Sequence, residues 1–159
     1  MSTDESAETD LLLDEQACFA LYSASRAVTD VYRPLLAELG LTYPQYLVLL
    51  VLWESGPRTV RDVGTALSLD YGTVSPLLKR LEGAGLVERR RDPRDERTVT
   101  VHLTEAGHDM RTRVTHVPRT IGCALGLDDR ARHELIVLLR TLTASTLAFR
   151  GVDGTSTAS

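Results

Sequence analysis

The spacing of hydrophobic residues predicts a chain made mainly of helices. Between residues 17 and 35, apolar side chains recur every three or four positions, the period of a helix with one buried face. Pro34 is expected to kink or restart this helix, because proline lacks an amide donor and clashes with the preceding turn. A second helix is predicted from about Tyr43 to Glu54, with Thr42 as its N-cap and Pro44 in its first turn.

The next segment has the spacing of a helix-turn-helix. A short helix is predicted over Val60–Leu67, and after a tight turn at 68–70 a second helix continues until Gly85 stops it. The start of this second helix has two solutions. Asp70 is a good N-cap, but Pro76 would then lie six residues inside the helix, so Thr73 is the alternative cap.

An alternating pattern then predicts a β-hairpin, followed by more helices. Strands are expected at Leu86–Arg90 and Thr98–Leu103, with the hairpin tip at 91–96. Thr104 caps a long helix that Pro118 interrupts or kinks, and a last helix spans Asp129–Phe149. The predicted fold class is therefore mainly α with a small β-hairpin wing, a winged helix-turn-helix flanked by helices.

One domain is expected over residues 13–150, between disordered tails at 1–12 and 151–159. The winged helix-turn-helix occupies about 58–104, and helices at about 13–40 and 105–149 remain for dimerisation. These terminal helices carry more apolar surface than a thin core can bury. They therefore predict a homodimer, which suits a two-fold reader of palindromic DNA.

Charge is distributed unevenly along the 159 residues, whose net charge is -4. The first 16 residues contain six acids and no Lys or Arg, so removing them moves the net charge from -4 to about +2. Five arginines fall within positions 89–97. The acidic total therefore does not argue against binding of nucleic acid.

Targeting and metal-binding patterns are not recognisable in the sequence. The acidic start does not resemble a signal peptide, and no apolar run is long enough for a membrane span. Neither cysteine has a second Cys or His at zinc-ligand spacing. We therefore expect a cytoplasmic protein that has no membrane partner, metal or other cofactor.

The second helix of the helix-turn-helix and the hairpin tip are the candidate DNA contacts. A recognition helix reads base edges with residues near its N-terminus, whereas residues further along contact phosphates. At the hairpin tip, Arg94 and Arg97 are expected to enter the adjacent minor groove. For the hairpin alone, a solvated loop with self-cancelling charges is the alternative. The candidate contacts on the helix are Tyr71, Gly72, Thr73, Ser75, Lys79 and Arg80.

Cys18 is the candidate redox residue, because Tyr22 lies one helical turn away on the same face. A free thiol is only about 3% thiolate at pH 7, so a selective peroxide sensor also needs donors that stabilise the leaving oxygen. Tyr32 lies about 21 Å further along the same helix, too far for its own Cys18 but within reach of a partner chain's. The alternative is that both cysteines, Cys18 and Cys123, only fill space in packed regions.

Several segments resemble a known family, the MarR transcriptional regulators of bacteria. Two adjoining stretches carry that resemblance, RDPRDER at 91–97 and VHLTEAG at 101–107. Within the family, the chain is most similar to the organic hydroperoxide resistance regulators, through CFALY at 18–22, YRPLL at 32–36, LTYPQYL at 41–47 and the segment 69–80. The resemblance covers about residues 14–148. It departs at Tyr71, where a small residue such as serine is expected.

The resemblance implies a repressor, not an enzyme, whose inducer is an organic hydroperoxide and whose partner is pseudo-palindromic operator DNA. It implies that Arg97 enters the minor groove and that Asp95 orients it. Tyr32 and Tyr43 would hydrogen-bond Cys18 across the dimer. It also implies the two-cysteine type, in which oxidised Cys18 forms an intersubunit disulfide with Cys123 and the DNA is released.

Three other functions remain open at this stage. A MarR-type repressor released by a small phenolic or anionic ligand would have structural cysteines, and its release would survive Cys18→Ser. A thiol peroxidase would consume peroxide repeatedly, but the sequence has no Thr-x-x-Cys or Cys-x-x-Cys loop. An architectural DNA protein without an effector is the least favoured of the three.

Overall fold

The computed structural model of this protein describes residues 11–93 and 95–153. The chain divides after Ala124 into two compact units. A short 3-10 turn, Leu13–Glu15, precedes the first helix. The helices are α1 (Ala17–Ala37), α2 (Tyr43–Ser55), α3 (Val60–Leu67), α4 (Tyr71–Gly83), α5 (Glu105–Arg113), α6 (His116–Leu125) and α7 (Asp129–Asp153), and the strands are β1 (Arg58–Thr59), β2 (Val87–Asp92) and β3 (Asp95–Leu103).

Helix α1 continues through Pro34 to Ala37, so the predicted restart at this proline is wrong. Pro34 lies in the last turn, so the amide hydrogen bond to the Asp30 carbonyl is lost, but only three residues of the helix follow it. The same turn is also anchored by Leu36, whose side chain is fully buried. Burial of this leucine offsets the amide donor that Pro34 lacks.

Helix α2 supplies much of the core and begins as the sequence predicts. Thr42 and Gln45 form a capping box: the Thr42 amide donates to Gln45 Oε1 at 2.8 Å, and the Gln45 amide donates to Thr42 Oγ1 at 3.4 Å. The helix ends at Ser55, one residue beyond the predicted end. Its buried side chains are Gln45, Tyr46, Val48, Leu49 and Leu52.

The helix-turn-helix consists of α3 and α4, with α3 at the predicted bounds. Asp70 is the N-cap of α4, since its Oδ1 accepts the Thr73 amide at 2.9 Å, so the alternative cap at Thr73 is wrong. Pro76 therefore lies inside the helix. Its cost is outweighed by the inward face of α4, which buries Val74, Leu77, Leu78 and Leu81.

The wing is a three-stranded antiparallel sheet in the order β1-β3-β2. Strands β2 and β3 extend into the predicted tip, to Asp92 and from Asp95, because their ladder continues past the exposed Arg91 and Asp95. The pairing shifts after Arg91, which faces Val99. Strand β1 was not predicted, since two residues carry no periodicity.

The start of α5 packs tightly against the base of the wing. Thr104 caps α5 by accepting the Gly107 amide at 3.1 Å, and its hydroxyl donates to the Gly85 carbonyl at 2.6 Å. A Cβ at Gly107 would lie 2.0 Å from the Leu86 carbonyl oxygen, so only glycine fits there. The indole of Trp53 donates to the Gly107 carbonyl at 3.0 Å. The Thr and Gly of the VHLTEAG segment thus have a structural role.

The chain after the wing forms three helices where the sequence predicted two. The break lies between Arg113 and His116 rather than at Pro118. Pro118 is the third residue of α6, a position whose amide has no partner within the helix in any case. Helix α7 starts at the predicted Asp129 and continues past Phe149. Among the described helices, none is long and apolar enough to cross a membrane.

Candidate DNA-binding surface and thiol site

The first turn of α4 presents the residues that the sequence assigns to base reading. Tyr71 is the first residue of the helix, and 72% of it is exposed. Gly72 and Thr73 are exposed beside it, and Ser75 is half-buried. The Thr73 hydroxyl donates to Asp70 Oδ2 at 3.2 Å, so the helix cap also fixes this side chain. Further along the same helix, Lys79 and Arg80 are exposed.

A groove of about 390 Å³ separates α4 from the wing. It brings Tyr71 and Ser75 next to Arg97, which is distant in sequence. Two further arginines line this groove, Arg61 from α3 and Arg89 from β2, and sequence reasoning did not assign them to it. Arg61 lies outside the arginine run, so no charge pattern singled it out.

An ion pair between Arg89 and Glu82 fixes the wing to the recognition helix. The Arg89 side chain donates to Glu82 Oε2 at 3.0 Å from Nε and 2.7 Å from Nη2, and the Arg89 amide donates to Oε1 at 3.1 Å. These hydrogen bonds lower the pKa of Glu82, the side-chain bonds most. Glu82 therefore stays ionised at neutral pH and holds β2 against α4.

Asp95 acts on the backbone of the wing. Its Oδ1 accepts the Arg97 amide at 3.1 Å, and its Oδ2 accepts the Thr98 hydroxyl at 2.8 Å. It therefore sets the chain direction at Arg97 through the main chain. Within the same arginine run, Arg90 pairs with Glu88. Arg94, a predicted minor-groove contact, lies outside the described residues.

Both cysteines are free and exposed. Cys18 lies in the first turn of α1, and Cys123 lies near the end of α6. Tyr22, one turn after Cys18, is 58% exposed. Its hydroxyl oxygen accepts a hydrogen bond from Arg26 Nη1 at 3.1 Å, and the guanidinium lies 5.6 Å from the ring centroid. The Tyr22 hydroxyl proton is thus left to donate elsewhere.

A cluster of three tyrosines joins α1 to α2. The Tyr32 ring lies 4.4 Å from that of Tyr43 and 6.0 Å from that of Tyr46, measured between centroids. Burial, with the neighbouring phenols, raises the pKa of Tyr32 to about 12. Burial also raises the pKa of Tyr43 and of Tyr46. All three phenols therefore remain protonated hydrogen-bond donors at neutral pH.

Tyr46 was not predicted as a site residue, although its spacing of three from Tyr43 on one helix was a usable signal. Tyr46 is almost completely buried. Beside Tyr43 a cleft of about 330 Å³ opens, and its lining includes Thr29, Arg33 and Leu41. This cleft has room for a small apolar group beside Tyr43.

Four of the predicted sensing residues fall into two separate groups within one chain. Tyr32 and Tyr43 are in contact, whereas Cys18 and Tyr22 lie on the first turns of α1. Fourteen residues of helix separate Cys18 from Tyr32, about 21 Å at 1.5 Å per residue. Among the residues with described positions, no group of His, Cys, Asp and Glu is arranged to hold a metal.

Sequence comparison identifies relatives across most of the chain. The family model described as transcriptional regulator SarA/Rot matches residues 30–113. The organic hydroperoxide resistance transcriptional regulator of Bacillus subtilis is 46% identical over 123 residues, 77% of this chain and 82% of that protein. The regulator TtmR of Methylorubrum extorquens is 51% identical over 124 residues, 78% of this chain but only 64% of the length of TtmR.

Solved structures give the same assignment. Reduced AbfR bound to DNA superposes with a TM-score of 0.74 at 35% identity, covering 88% of this chain and 99% of AbfR. A disulfide-formed structure of AbfR, a protein of Staphylococcus epidermidis, gives a TM-score of 0.60 at 33% identity over 92% and 98% of the two chains. A homodimer is consistent with these neighbours.

The relatives are transcriptional regulators and not enzymes. The resemblance expected from the sequence is thereby confirmed, together with the winged helix-turn-helix fold. With its exposed recognition helix, its wing and these relatives, the chain belongs to the MarR-type winged-helix family of DNA-binding transcriptional regulators.

Proposed function

We propose that this protein is a cytoplasmic homodimeric repressor that binds a pseudo-palindromic operator while Cys18 is reduced. An organic hydroperoxide oxidises Cys18, and the dimer then releases the DNA. The observation that carries this proposal is the free, exposed Cys18 thiol, which lies on a helix that also exposes large apolar side chains. The similarity to the Bacillus regulator and to AbfR, which has both a reduced DNA-bound form and a disulfide form, supports it.

The first chemical step is a two-electron oxidation of sulfur. The Cys18 thiolate attacks one peroxide oxygen, the O–O bond breaks, and the sulfur becomes a sulfenic acid. The leaving alkoxide takes up a proton and departs as an alcohol. Phenol donors stabilise this leaving oxygen by hydrogen bonding, the role we assign to Tyr22 and to Tyr32 and Tyr43 of the partner subunit.

The second step fixes the oxidised state as a disulfide. The thiol of Cys123 of the partner subunit attacks the sulfenic sulfur of Cys18, the S–S bond forms, and water leaves. The new bond joins α1 of one protomer to α6 of the other and changes the spacing of the two recognition helices. Changing the ratio of DNA-binding to released conformation from 99:1 to 1:99 needs about 5.5 kcal/mol, which a covalent bond supplies.

Exposed apolar surface on the terminal helices supports the dimer. On α1, Phe19, Leu21 and Val31 are each more than a third exposed. On α7, Leu138 is 66% exposed and Phe149 is 70% exposed. Large apolar side chains left exposed on each of these helices are typical of a surface that binds another protein. A second copy of the chain covers it in the proposed assembly.

In the DNA-bound state, the first turn of α4 lies in the major groove. Tyr71, Thr73 and Ser75 face base edges there, and Gly72 allows the backbone close to the DNA. The wing places Arg97 in the neighbouring minor groove, with its backbone held by Asp95. Lys79 and Arg80 contact phosphates in this arrangement.

A mobility-shift titration tests the proposal on DNA from upstream of the protein's own gene. Wild type, Cys18→Ser and Cys123→Ser are each measured with and without one equivalent of cumene hydroperoxide, beside a non-reducing gel. We expect peroxide to release wild type but not Cys18→Ser, and a disulfide-linked dimer to form only when both cysteines are present.

Release of Cys18→Ser to the same extent would contradict redox sensing and favour the repressor controlled by a small ligand. Repeated turnover of peroxide by wild type would point instead to a peroxidase. Loss of the dimer band in Cys123→Ser with release unchanged would remove Cys123 from the mechanism but leave Cys18 in place.

A further inference from the structure

We propose that the groove between α4 and the wing seats a phosphate of the DNA backbone, and that Arg61 is its sequence-independent contact. This inference rests on the proposed binding of operator DNA and names which part of the DNA the groove takes. Sequence reasoning placed the basic charge of the interface in the run 89–97 and on Lys79 and Arg80. In the structure, Arg61 also lines the groove, and Arg89 of that run is paired with Glu82.

The charges around the groove favour an anion. Three arginines reach it from three elements: Arg61 from α3, Arg89 from β2 and Arg97 from β3. Asp62 is the acid among the lining residues, and Glu82 neutralises Arg89 from the side of α4. With Arg89 already paired and Arg97 assigned to the minor groove, Arg61 is the guanidinium group of this lining that is left to meet an incoming phosphate.

The Arg61 side chain, unlike that of Arg89, does not hold two elements of the fold together. Its side chain is exposed, and no hydrogen bond or ion pair joins it to another residue that the structure describes. An exposed guanidinium binds a phosphate through two parallel N–H donors and retains its charge at any physiological pH. Arg61 therefore loses no internal contact when it binds DNA.

The position of Arg61 points to the backbone rather than to a base. It lies on the first helix of the helix-turn-helix, the helix that crosses the DNA backbone when the second enters the major groove. Arg61 and Tyr71 line both the groove and an adjoining pocket of about 410 Å³. In this arrangement Tyr71, at the start of α4, reaches the bases. Arg61, which lines the same groove from α3, reaches the DNA backbone beside them.

The salt dependence of DNA binding tests this contact. Affinities of wild type, Arg61→Gln and Arg61→Lys are measured by fluorescence anisotropy, on the upstream duplex and on a shuffled duplex of the same length, at several salt concentrations. Each phosphate contact adds about 0.9 to the slope of log affinity against log salt concentration, so Arg61→Gln should lower the slope by about 1.8 per dimer. Affinity should fall by the same factor on both duplexes, and Arg61→Lys should restore most of the slope.

Arg113→Gln is the matched control, because it removes one charge from an exposed position on α5 outside the groove. We expect its slope to equal that of wild type. An unchanged slope in Arg61→Gln would overturn the inference, and so would an altered preference between the two duplexes, which would make Arg61 a base contact. If wild type binds neither duplex, the proposed repressor function fails as well, so the two failures are distinguishable.

Discussion

The winged helix-turn-helix and the region around Cys18 differ in how much of their chemistry one chain supplies. In the winged unit, contacts within the chain fix each proposed DNA-reading element: Asp70 caps the recognition helix, Glu82 holds the wing, and Asp95 directs the backbone at Arg97. Around Cys18, the thiol and Tyr22 are exposed, and the tyrosine cluster is about 21 Å away along the helix.

This difference indicates where a second chain is needed. A preorganised surface binds DNA without further rearrangement, so the winged unit can be complete before dimerisation. The proposed thiol site becomes complete only when the tyrosine cluster of another chain faces Cys18. Changes in the winged unit should therefore alter folding or DNA affinity directly. Removing the hydroxyl of Tyr32 from the tyrosine cluster should leave both intact and alter the peroxide response.

The largest effect is expected from Gly107→Ala, at the base of the wing. The new Cβ would lie 2.0 Å from the Leu86 carbonyl oxygen, which is backbone and cannot rotate away. We expect a loss of about 3 kcal/mol or more in the free energy of unfolding, together with loss of DNA binding. Urea unfolding and a mobility shift measure the two effects.

Gly83→Ala is the control for this substitution. Gly83 is the last residue of α4, and a Cβ there would meet no atom within 4 Å. Because alanine favours helix over glycine, we expect a gain of up to about 0.5 kcal/mol. Equal stability of the two variants would refute the close packing of α5 against the wing.

A smaller effect, confined to the thiol site, is expected from Tyr32→Phe. The ring and its contact with Tyr43 remain, and the phenol donor is removed. If this donor stabilises the leaving oxygen, oxidation of Cys18 by cumene hydroperoxide should slow by on the order of tenfold to a hundredfold. DNA binding by the reduced protein should not change. Stopped-flow thiol loss measures the rate.

Tyr71→Phe removes the same hydroxyl from the opposite region, where the side chain is 72% exposed on the recognition helix. It should leave the oxidation rate unchanged and affect only operator affinity. A slowing of oxidation in Tyr71→Phe as large as in Tyr32→Phe would break the separation between the two regions.

The sequence predicted the winged unit well because its signals are local. The helix caps are an example: Thr42 and Thr104 cap the helices predicted for them, and Asp70 is one of the two caps considered for α4. A cap needs only a side chain and the amide three residues further on. The errors at Pro34 and Pro118 have different causes. Pro118 lies in a first turn, where an amide has no partner in any case, whereas burial of Leu36 offsets the amide that Pro34 lacks.

Contacts between segments far apart in the chain could not be predicted from the sequence. Glu82 and Arg89 meet because a helix and a strand pack together, and Arg61 reaches the groove for the same reason. Tyr46 joins the tyrosine cluster through a contact between α1 and α2. The pairing of Cys18 with Cys123 stays a prediction, because it involves two chains.

A moderate effect is expected from Glu82→Ala, which releases Arg89 and loosens the wing. The carboxylate is 36% exposed, so we expect a stability loss of only about 1 kcal/mol. Glu88→Ala is the control, because it removes the same charge from a pair within one strand. Both variants should bind a shuffled duplex more tightly through their added positive charge. Only Glu82→Ala should lose preference for the operator, measured as the ratio of the two affinities.

The smallest effect is expected from raising the pH. Burial raises the pKa of Tyr32 to about 12, above the value of about 10 that a tyrosine has in the unfolded chain. The resulting stability is fully present below pH 10 and is lost as the pH rises from 10 to 12. Ultraviolet titration should show a phenol ionising near pH 12 in wild type and in Tyr71→Phe, and this step should be missing in Tyr32→Phe. If that step persists in Tyr32→Phe, the phenol with the most strongly raised pKa is another tyrosine. That tyrosine, and not Tyr32, would then be the donor best protected from ionisation in the proposed thiol site.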